Sequence, residues 1–148
     1  MIALACDHAG YPLKEELKTY LDSIGRAYTD FGTYSEESVD YPIYAAKAAH
    51  AVADGVCECG ILCCGTGIGI SIAANKVKGV RAAVCSDAYS TEMTRLHNNA
   101  NILCMGARVI SAEKAIELAK IFLETTPLDE ERHQRRVRQL EDIENGKL

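Results

Sequence analysis

The fold is decided by residues Gly60–Gly69, whose sequence is GILCCGTGIG. An apolar run, Gly60–Cys63, leads directly into a glycine-rich turn, Cys64–Gly69, and then into a short apolar helix to about Lys76. A buried strand that passes through such a turn into a helix is typical of a parallel sheet covered by helices. The turn also presents backbone N–H groups at a helix N-terminus, which is an arrangement that binds anions.

The same alternation of strand and helix patterns runs along the whole chain. Strands are expected at Ile2–Cys6, Ala27–Phe31, Gly60–Cys63, Val80–Cys85 and Asn101–Met105. Further helices are expected from Pro12 to Ile24, from Pro42 to about Ala53, from about Tyr89 to His97, after Ser111 as N-cap, and from about Asp129 to Glu144. This predicts an α/β fold, a three-layer doubly wound (Rossmann-like) domain with a five-stranded parallel sheet and the local strand order 2-1-3. No linker or repeat divides the chain, so residues 1–148 are expected to form one domain.

The composition limits the possible partners and locations. The chain has 148 residues, 48% hydrophobic and 25% charged, with a formal net charge of −5, which is ordinary for a soluble globular protein. The negative charge argues against nucleic acid or an anionic membrane surface as a partner. No apolar run approaches the roughly 20 residues that span a bilayer. The N-terminus lacks a basic segment and a long apolar region, so a cytoplasmic location is expected.

The seven cysteines fall into three groups. Four lie in or at the end of apolar strand patterns, where cysteine acts as a small buried hydrophobe: Cys6, Cys63, Cys85 and Cys104. Cys57 and Cys59 form a lone C-x-C without a second pair at zinc-site spacing, so no metal is expected. Cys64 alone stands at the start of the glycine-rich turn, where backbone N–H groups and a helix N-terminus favour a thiolate. It is the candidate base or nucleophile.

The glycine spacing of the turn leaves other interpretations open. It is not the dinucleotide fingerprint, because the third glycine comes one residue early. Asp87, however, lies about 20 residues farther on, where a ribose-binding acid would stand. We expect no cofactor, and both a nucleotide site and a purely structural turn remain as alternatives.

Basic side chains near the C-terminus indicate a possible phosphate site. Arg132 and Arg136 are four residues apart and share one helix face, and guanidinium groups suit a phosphate dianion. Arg108, just after the fifth strand, could join them. The alternative is a solvated basic face paired with neighbouring glutamates. His97, in a polar stretch before the fifth strand, is a second candidate catalytic side chain.

Five segments together resemble the ribose-5-phosphate isomerase B family, which also holds galactose-6-phosphate and allose-6-phosphate isomerases. The segments are Asp7-His8-Ala9-Gly10, Asp40-Tyr41-Pro42, Cys64–Lys76, His97-Asn98 and Arg132-His133-Gln134. They cover nearly the whole chain in order, and Cys64–Lys76 is the most specific. The resemblance implies a metal-free interconversion of ribose 5-phosphate and ribulose 5-phosphate through an enediolate, a step of the pentose phosphate pathway.

The resemblance also implies a role for each candidate residue. Cys64 would move the proton between carbons 2 and 1, and His97 with Thr66 would assist ring opening. One branch of the family uses a glutamate where this chain has Ile70, which leaves Cys64 as the base here. Backbone N–H groups of the turn would stabilise the enediolate oxygen: Gly65, Gly67, Ile68 and Gly69. Sugar hydroxyls would bind to Asp7, His8 and Asn98, and the phosphate to Arg108, Arg132 and Arg136.

Assembly and substrate are the remaining expectations from the resemblance. It implies a homodimer built with the C-terminal helix, and leaves a tetramer open. Each site would take Cys64 from one chain and His97, Asn98 and the C-terminal arginines from the other. The substrate would be a small sugar phosphate. Two alternatives stay open: an isomerase of a six-carbon sugar phosphate (allose 6-phosphate or galactose 6-phosphate), and a non-catalytic module that binds sugar phosphates.

Overall fold

A computed structural model describes all residues from 1 to 148. The strands are β1 Ile2–Cys6, β2 Tyr28–Asp30, β3 Cys59–Cys64, β4 Ala82–Val84 and β5 Ile102–Gly106. The helices are α1 Tyr11–Ser23, α2 Tyr41–Ala53, α3 Ile68–Asn75, α4 Ala88–Leu96, α5 Ala112–Glu124 and α6 Glu131–Glu144. None of these helices is long and apolar enough to cross a membrane.

The five strands form one parallel sheet in the order β2-β1-β3-β5-β4. The predicted α/β class, the five parallel strands and the local order 2-1-3 are confirmed. The edge strands β2 and β4 have three residues each, and are shorter than the expected Ala27–Phe31 and Val80–Cys85. An edge strand pairs on one side only, so fewer of its residues are held in the ladder.

Two apolar cores lie on the two faces of the sheet. Leu17, Leu21 and Phe122 pack on one face, together with alternate residues of β1, β3 and β5. On the other face, Ala48 and Ile70 belong to the core that α2 and α3 form with the sheet. The buried face of α2 is almost entirely alanine, which lets this helix lie close to the sheet. The strand runs are apolar throughout because both of their faces are covered.

Several helix boundaries have local causes. Pro12 and Pro42 stand in the first turns of α1 and α2. The predicted N-cap Ser111 is confirmed, since its Oγ accepts a hydrogen bond of 3.1 Å from the Lys114 N–H. Asp87 caps α4 by accepting from the Ser90 N–H at 2.7 Å. Asp87, which the sequence offered as a possible ribose-binding acid of a nucleotide site, therefore has a structural role as a helix cap.

Because all five strands are parallel, the sheet has one edge formed by their carboxyl ends and an opposite edge formed by their amino ends. Strand β2 lies on one side of β1 and β3 lies on the other. The direction of winding therefore reverses at β1, and a crevice opens at the carboxyl ends of β1 and β3. Helix α6 lies at the opposite, amino-terminal edge. The Leu128 N–H donates to the Leu96 carbonyl at 3.1 Å, and the Gly79 N–H donates to the Glu144 carboxylate at 3.1 and 3.2 Å.

Candidate active site

Cys64, at the end of β3, is held by the turn that follows it. Its Sγ accepts a hydrogen bond of 3.0 Å from the Gly67 N–H, and the residue is 4% exposed. Gly67 has a φ of 80° at the start of α3, a conformation that favours glycine. A β-carbon there would lie 2.8 Å from the Met105 carbonyl carbon and 2.9 Å from Val84 Cγ2. The tight turn therefore needs glycine, and it places the sulfur at the N-terminus of α3.

The remaining N–H groups of the turn differ in their availability. The Gly67 N–H is taken by Cys64, and the Ile68 N–H donates to the Thr66 hydroxyl at 3.1 Å. The N–H groups of Gly65 and Gly69 have no acceptor within the chain. Of the four predicted donors to a developing oxyanion, these two are thus free to act in the structure as it stands.

Arg108 lies beside the same turn. Its N–H donates to the Gly65 carbonyl at 3.0 Å, and its guanidinium lies close to Gly65, since a β-carbon built there would be 3.5 Å from Nη1. Gly106 allows this approach, because a β-carbon on it would lie 2.6 Å from the backbone of Thr66. A guanidinium cation therefore lies next to the Cys64 turn.

The loop after β1 forms the other wall of the crevice. Asp7 is buried, and its Oδ1 accepts from the Gly10 N–H at 2.9 Å. His8 Nδ1 accepts from the Val39 N–H at 3.1 Å, so a neutral His8 carries its proton on Nε2. The structure thus brings together one group of predicted site residues, which we call the carboxyl-edge cluster: Asp7, His8, Cys64 to Gly69, and Arg108.

The other predicted residues meet where α4 and α6 touch. The His97 ring stacks on the His133 ring, with centroids 4.3 Å apart and planes at 9°. Desolvation by burial lowers the pKa of His133, and the nearby positive charges of His97 and Arg132 lower it further. Arg132 and Arg136 are exposed on the same helix. We call the group His97, Asn98, Arg132 and Arg136 the α4–α6 cluster.

The two clusters lie at opposite ends of the sheet. Ile102, where α4 leads into β5, pairs with Gly60, whereas Gly106 pairs with Cys64 at the far end. At a rise of about 3.3 Å per residue, the strand alone separates these ends by about 13 Å. Within one chain, the Cys64 turn and His97 therefore belong to opposite ends of the sheet.

Two residues near the site were not given a role from the sequence. The Tyr41 ring covers Gly69, where a β-carbon would lie 2.9 Å from Cζ; its place in a matched segment, just before Pro42, was a usable signal. Lys14 is completely buried next to the end of β1. No sequence signal marks it, because a lysine beside Glu15 and Glu16 on a helix is normally exposed.

The other cysteines have the structural character expected of them. Cys6, Cys63, Cys85 and Cys104 are buried, as predicted. Burial raises the pKa of Cys6 to about 11 and the pKa of Cys63 well above its ordinary value. All seven cysteines are free thiols. No group of three or more His, Cys, Asp or Glu side chains is arranged to hold a metal ion.

Comparisons with known proteins identify the family. The model of the Ribose/Galactose Isomerase family matches residues 2–140. The chain is 47% identical to ribose-5-phosphate isomerase B of Escherichia coli over 97% of this chain and 95% of that relative. It is 44% identical to a D-erythrulose-4-phosphate isomerase of Pectobacterium atrosepticum over 83% of this chain and 82% of that relative. The solved structure of Clostridium thermocellum ribose-5-phosphate isomerase B superposes with a TM-score of 0.96, at 46% identity and over 99% of both chains. The chain therefore belongs to the ribose/galactose isomerase family, as the resemblance predicted.

Proposed function

We propose that this protein interconverts ribose 5-phosphate and ribulose 5-phosphate, in the cytoplasm and as part of the pentose phosphate pathway. The observation that carries the proposal is the position of Cys64. Its sulfur is fixed at the N-terminus of α3, next to the free N–H groups of Gly65 and Gly69 and to the Arg108 guanidinium. A base beside donors to an oxyanion is what an enediolate reaction needs.

In the proposed mechanism the Cys64 thiolate removes the proton from carbon 2 of the open-chain aldose. The electrons of that C–H bond form the carbon 1–carbon 2 double bond, and the carbon 1 carbonyl becomes the enediolate oxygen. The N–H groups of Gly65 and Gly69 stabilise this oxygen, because its charge develops only as the proton leaves. A proton then passes from the carbon 2 hydroxyl to the carbon 1 oxygen. The Cys64 thiol returns its proton to carbon 1 as the carbon 2 oxygen forms the ketone carbonyl, which regenerates the thiolate.

We further propose that each active site is completed by a second copy of the chain. The carboxyl-edge cluster lacks His97 and two of the three arginines expected at the phosphate. In the same chain these residues belong to the other end of the sheet, about 13 Å away along β5. In a two-fold dimer the α4–α6 cluster of one copy faces the Cys64 turn of the other, giving two equivalent sites. His97 then assists ring opening and Arg132 and Arg136 hold the phosphate. Pairing of dimers into tetramers stays an open alternative.

Exposed apolar side chains support this assembly. They lie on α3, on the edge strand β4 and on α6, and are 44 to 58% exposed in the single chain: Ile68, Ile72, Val84, Leu140 and Ile143. Helix α6 also packs little on its own chain. An apolar surface that includes the turn of one cluster and the helix of the other suits an interface between copies.

The substrate assignment is tested with a panel of aldose phosphates. The family description names galactose as well as ribose, and one relative is named for a four-carbon sugar phosphate. We expect the highest kcat/KM for ribose 5-phosphate, against erythrose 4-phosphate, allose 6-phosphate and galactose 6-phosphate. A higher kcat/KM for a four- or six-carbon sugar phosphate would show that this sugar phosphate, and not ribose 5-phosphate, is the preferred substrate. Binding of all four without turnover would indicate a sugar-phosphate binding module.

A further inference from the structure

Lys14 has an environment unlike that of the other charged side chains. It lies on the buried face of α1 and is 0% exposed. Its ammonium donates to Asp30 Oδ1 at 2.7 Å and to the Thr33 carbonyl, which also accepts a bond of 3.7 Å from the Cys6 thiol. The ammonium therefore has two acceptors, one carboxylate oxygen and one backbone carbonyl. The Tyr34 ring closes the site, with its centroid 5.0 Å from Nζ.

Stability alone is a poor explanation for this arrangement. Removing an ammonium group from water is costly, and well-packed apolar residues often replace a buried ion pair without loss of stability. Lys18 already reaches the other oxygen of Asp30, Oδ2, at 3.2 Å from a partly exposed position. What the Lys14 ammonium adds is a contact that Lys18 does not make, namely the backbone carbonyl of Thr33.

Thr33 belongs to the segment 31–40, which has no helix or strand of its own and runs from β2 to α2. The start of the segment is fixed to β1, where the Cys6 N–H donates to the Gly32 carbonyl at 2.7 Å and the Thr33 N–H donates to the Cys6 carbonyl at 2.8 Å. Its end is fixed to the site, where the Val39 N–H donates to His8 Nδ1 at 3.1 Å. The segment thus connects the buried ammonium to a substrate-binding side chain.

We propose that Lys14 is a positioning residue: it fixes segment 31–40 and, through the Val39 N–H, holds the His8 imidazole in its tautomer and orientation for the sugar phosphate. The proposal rests on the proposed function in so far as His8 contacts substrate. Lys14 itself touches no reacting atom, so it acts on substrate binding and not on proton transfer.

The test uses the double variant Lys14→Met/Asp30→Asn, which removes both charges of this ion pair and keeps an amide oxygen that can accept from the Gly32 N–H, as Asp30 Oδ1 does at 2.9 Å. We expect KM for ribose 5-phosphate to rise about tenfold, the effect of one lost hydrogen bond to a charged or polar substrate group. We expect kcat to stay within about twofold, as for a loss of uniform binding. The Val39 amide should exchange with solvent faster. Lys18→Met is the matched control, and it should leave KM and Val39 exchange unchanged.

A double-mutant cycle decides whether the effect passes through His8. In a His8→Ala background, the Lys14→Met/Asp30→Asn change should raise KM no further. An equal rise with and without His8, or wild-type KM and wild-type Val39 exchange in the double variant, would overturn the proposal. Val39 exchange is measured without substrate. A wild-type protein that isomerises no sugar phosphate would therefore refute the proposed function, while the exchange experiment would still decide the role of Lys14.

Discussion

Cys63 and Cys64 are neighbours in β3, but they face opposite sides of the sheet. Cys63 packs in the core with α1 and α5, where burial raises the pKa of its thiol well above the ordinary value. Cys64 faces the other side and bonds to the turn. Alternation along a strand thus separates an inert thiol from the proposed base by a single residue.

This pair allows a controlled test of the base. Cys64→Ala should lower kcat by roughly 10² to 10⁴, the usual contribution of a positioned acid–base group, and should leave binding of ribose 5-phosphate nearly unchanged. Cys63→Ala should lower stability only, with kcat close to that of wild type. Steady-state kinetics and substrate titration on both variants check this. Near-normal turnover of Cys64→Ala would show that the sulfur is structural.

At the scale of elements, α6 carries arginines with different partners. Arg135 pairs with Glu131 at 2.5 Å, whereas Arg136 forms no ion pair within its own chain. Arg136→Ala should weaken binding of ribose 5-phosphate by about 10- to 150-fold, the loss of a charge-assisted contact of about 1.5–3 kcal/mol. Binding of unphosphorylated ribose should hardly change, and Arg135→Ala should change neither. Equal losses of binding affinity for ribose 5-phosphate and ribose would show that Arg136 stabilises the fold and does not bind the phosphate.

The contact of α4 with α6 should make stability depend on pH. Burial first, and then the charges of His97 and Arg132, lower the pKa of His133. The unfolded chain therefore binds more protons near pH 6, and stability rises with pH. The stability that neutral His133 contributes is present above about pH 6.5, and it is lost as the pH falls through the lowered pKa of His133.

The matching experiment follows the melting temperature between about pH 7.5 and pH 5. His133→Phe keeps a ring stacked on His97 and removes the titrating group, whose Nε2 has no hydrogen-bond partner. The wild-type melting temperature should fall more steeply with acidity than that of His133→Phe. His50→Gln, a change at an exposed histidine, should follow the wild-type curve. Parallel curves for wild type and His133→Phe would contradict the assignment.

At the scale of the whole molecule, the separation of the two clusters predicts complementation between inactive chains. Cys64→Ala and His97→Ala should each be inactive alone. When subunits exchange, a mixed dimer holds one site with both lesions and one with neither, so about a quarter of all sites become wild type in composition. Activity measured after verified exchange should approach that level. Activity that stays at zero would place each complete site in one chain.

Much of this molecule can be predicted from local patterns. The apolar strand runs, the helix periods, the glycine turn and the Ser111 cap predict the α/β class, the central elements and the buried cysteines, because each depends on residues close in the chain. The strand order 2-1-3 also follows, since two polar strand exits need neighbouring strands to share a crevice. The sequence resemblance also supplied the candidate site residues and the expectation that two chains share each site, but not the position of these residues in the fold of one chain.

Other features depend on contacts between distant residues. The position of β5 between β3 and β4 and the burial of Lys14 against Asp30 have no local signal. The tertiary structure also separates Cys64 from His97, because α4 returns the chain to the amino-terminal edge before β5 begins. Sequence alone thus determined which residues are suited to the chemistry and which elements carry them. Only the packing of helices on a parallel sheet decided that the two clusters lie at opposite ends of it. Parallel strands bring the carboxyl-edge cluster to one end, and the helices that connect them bring the α4–α6 cluster back to the other.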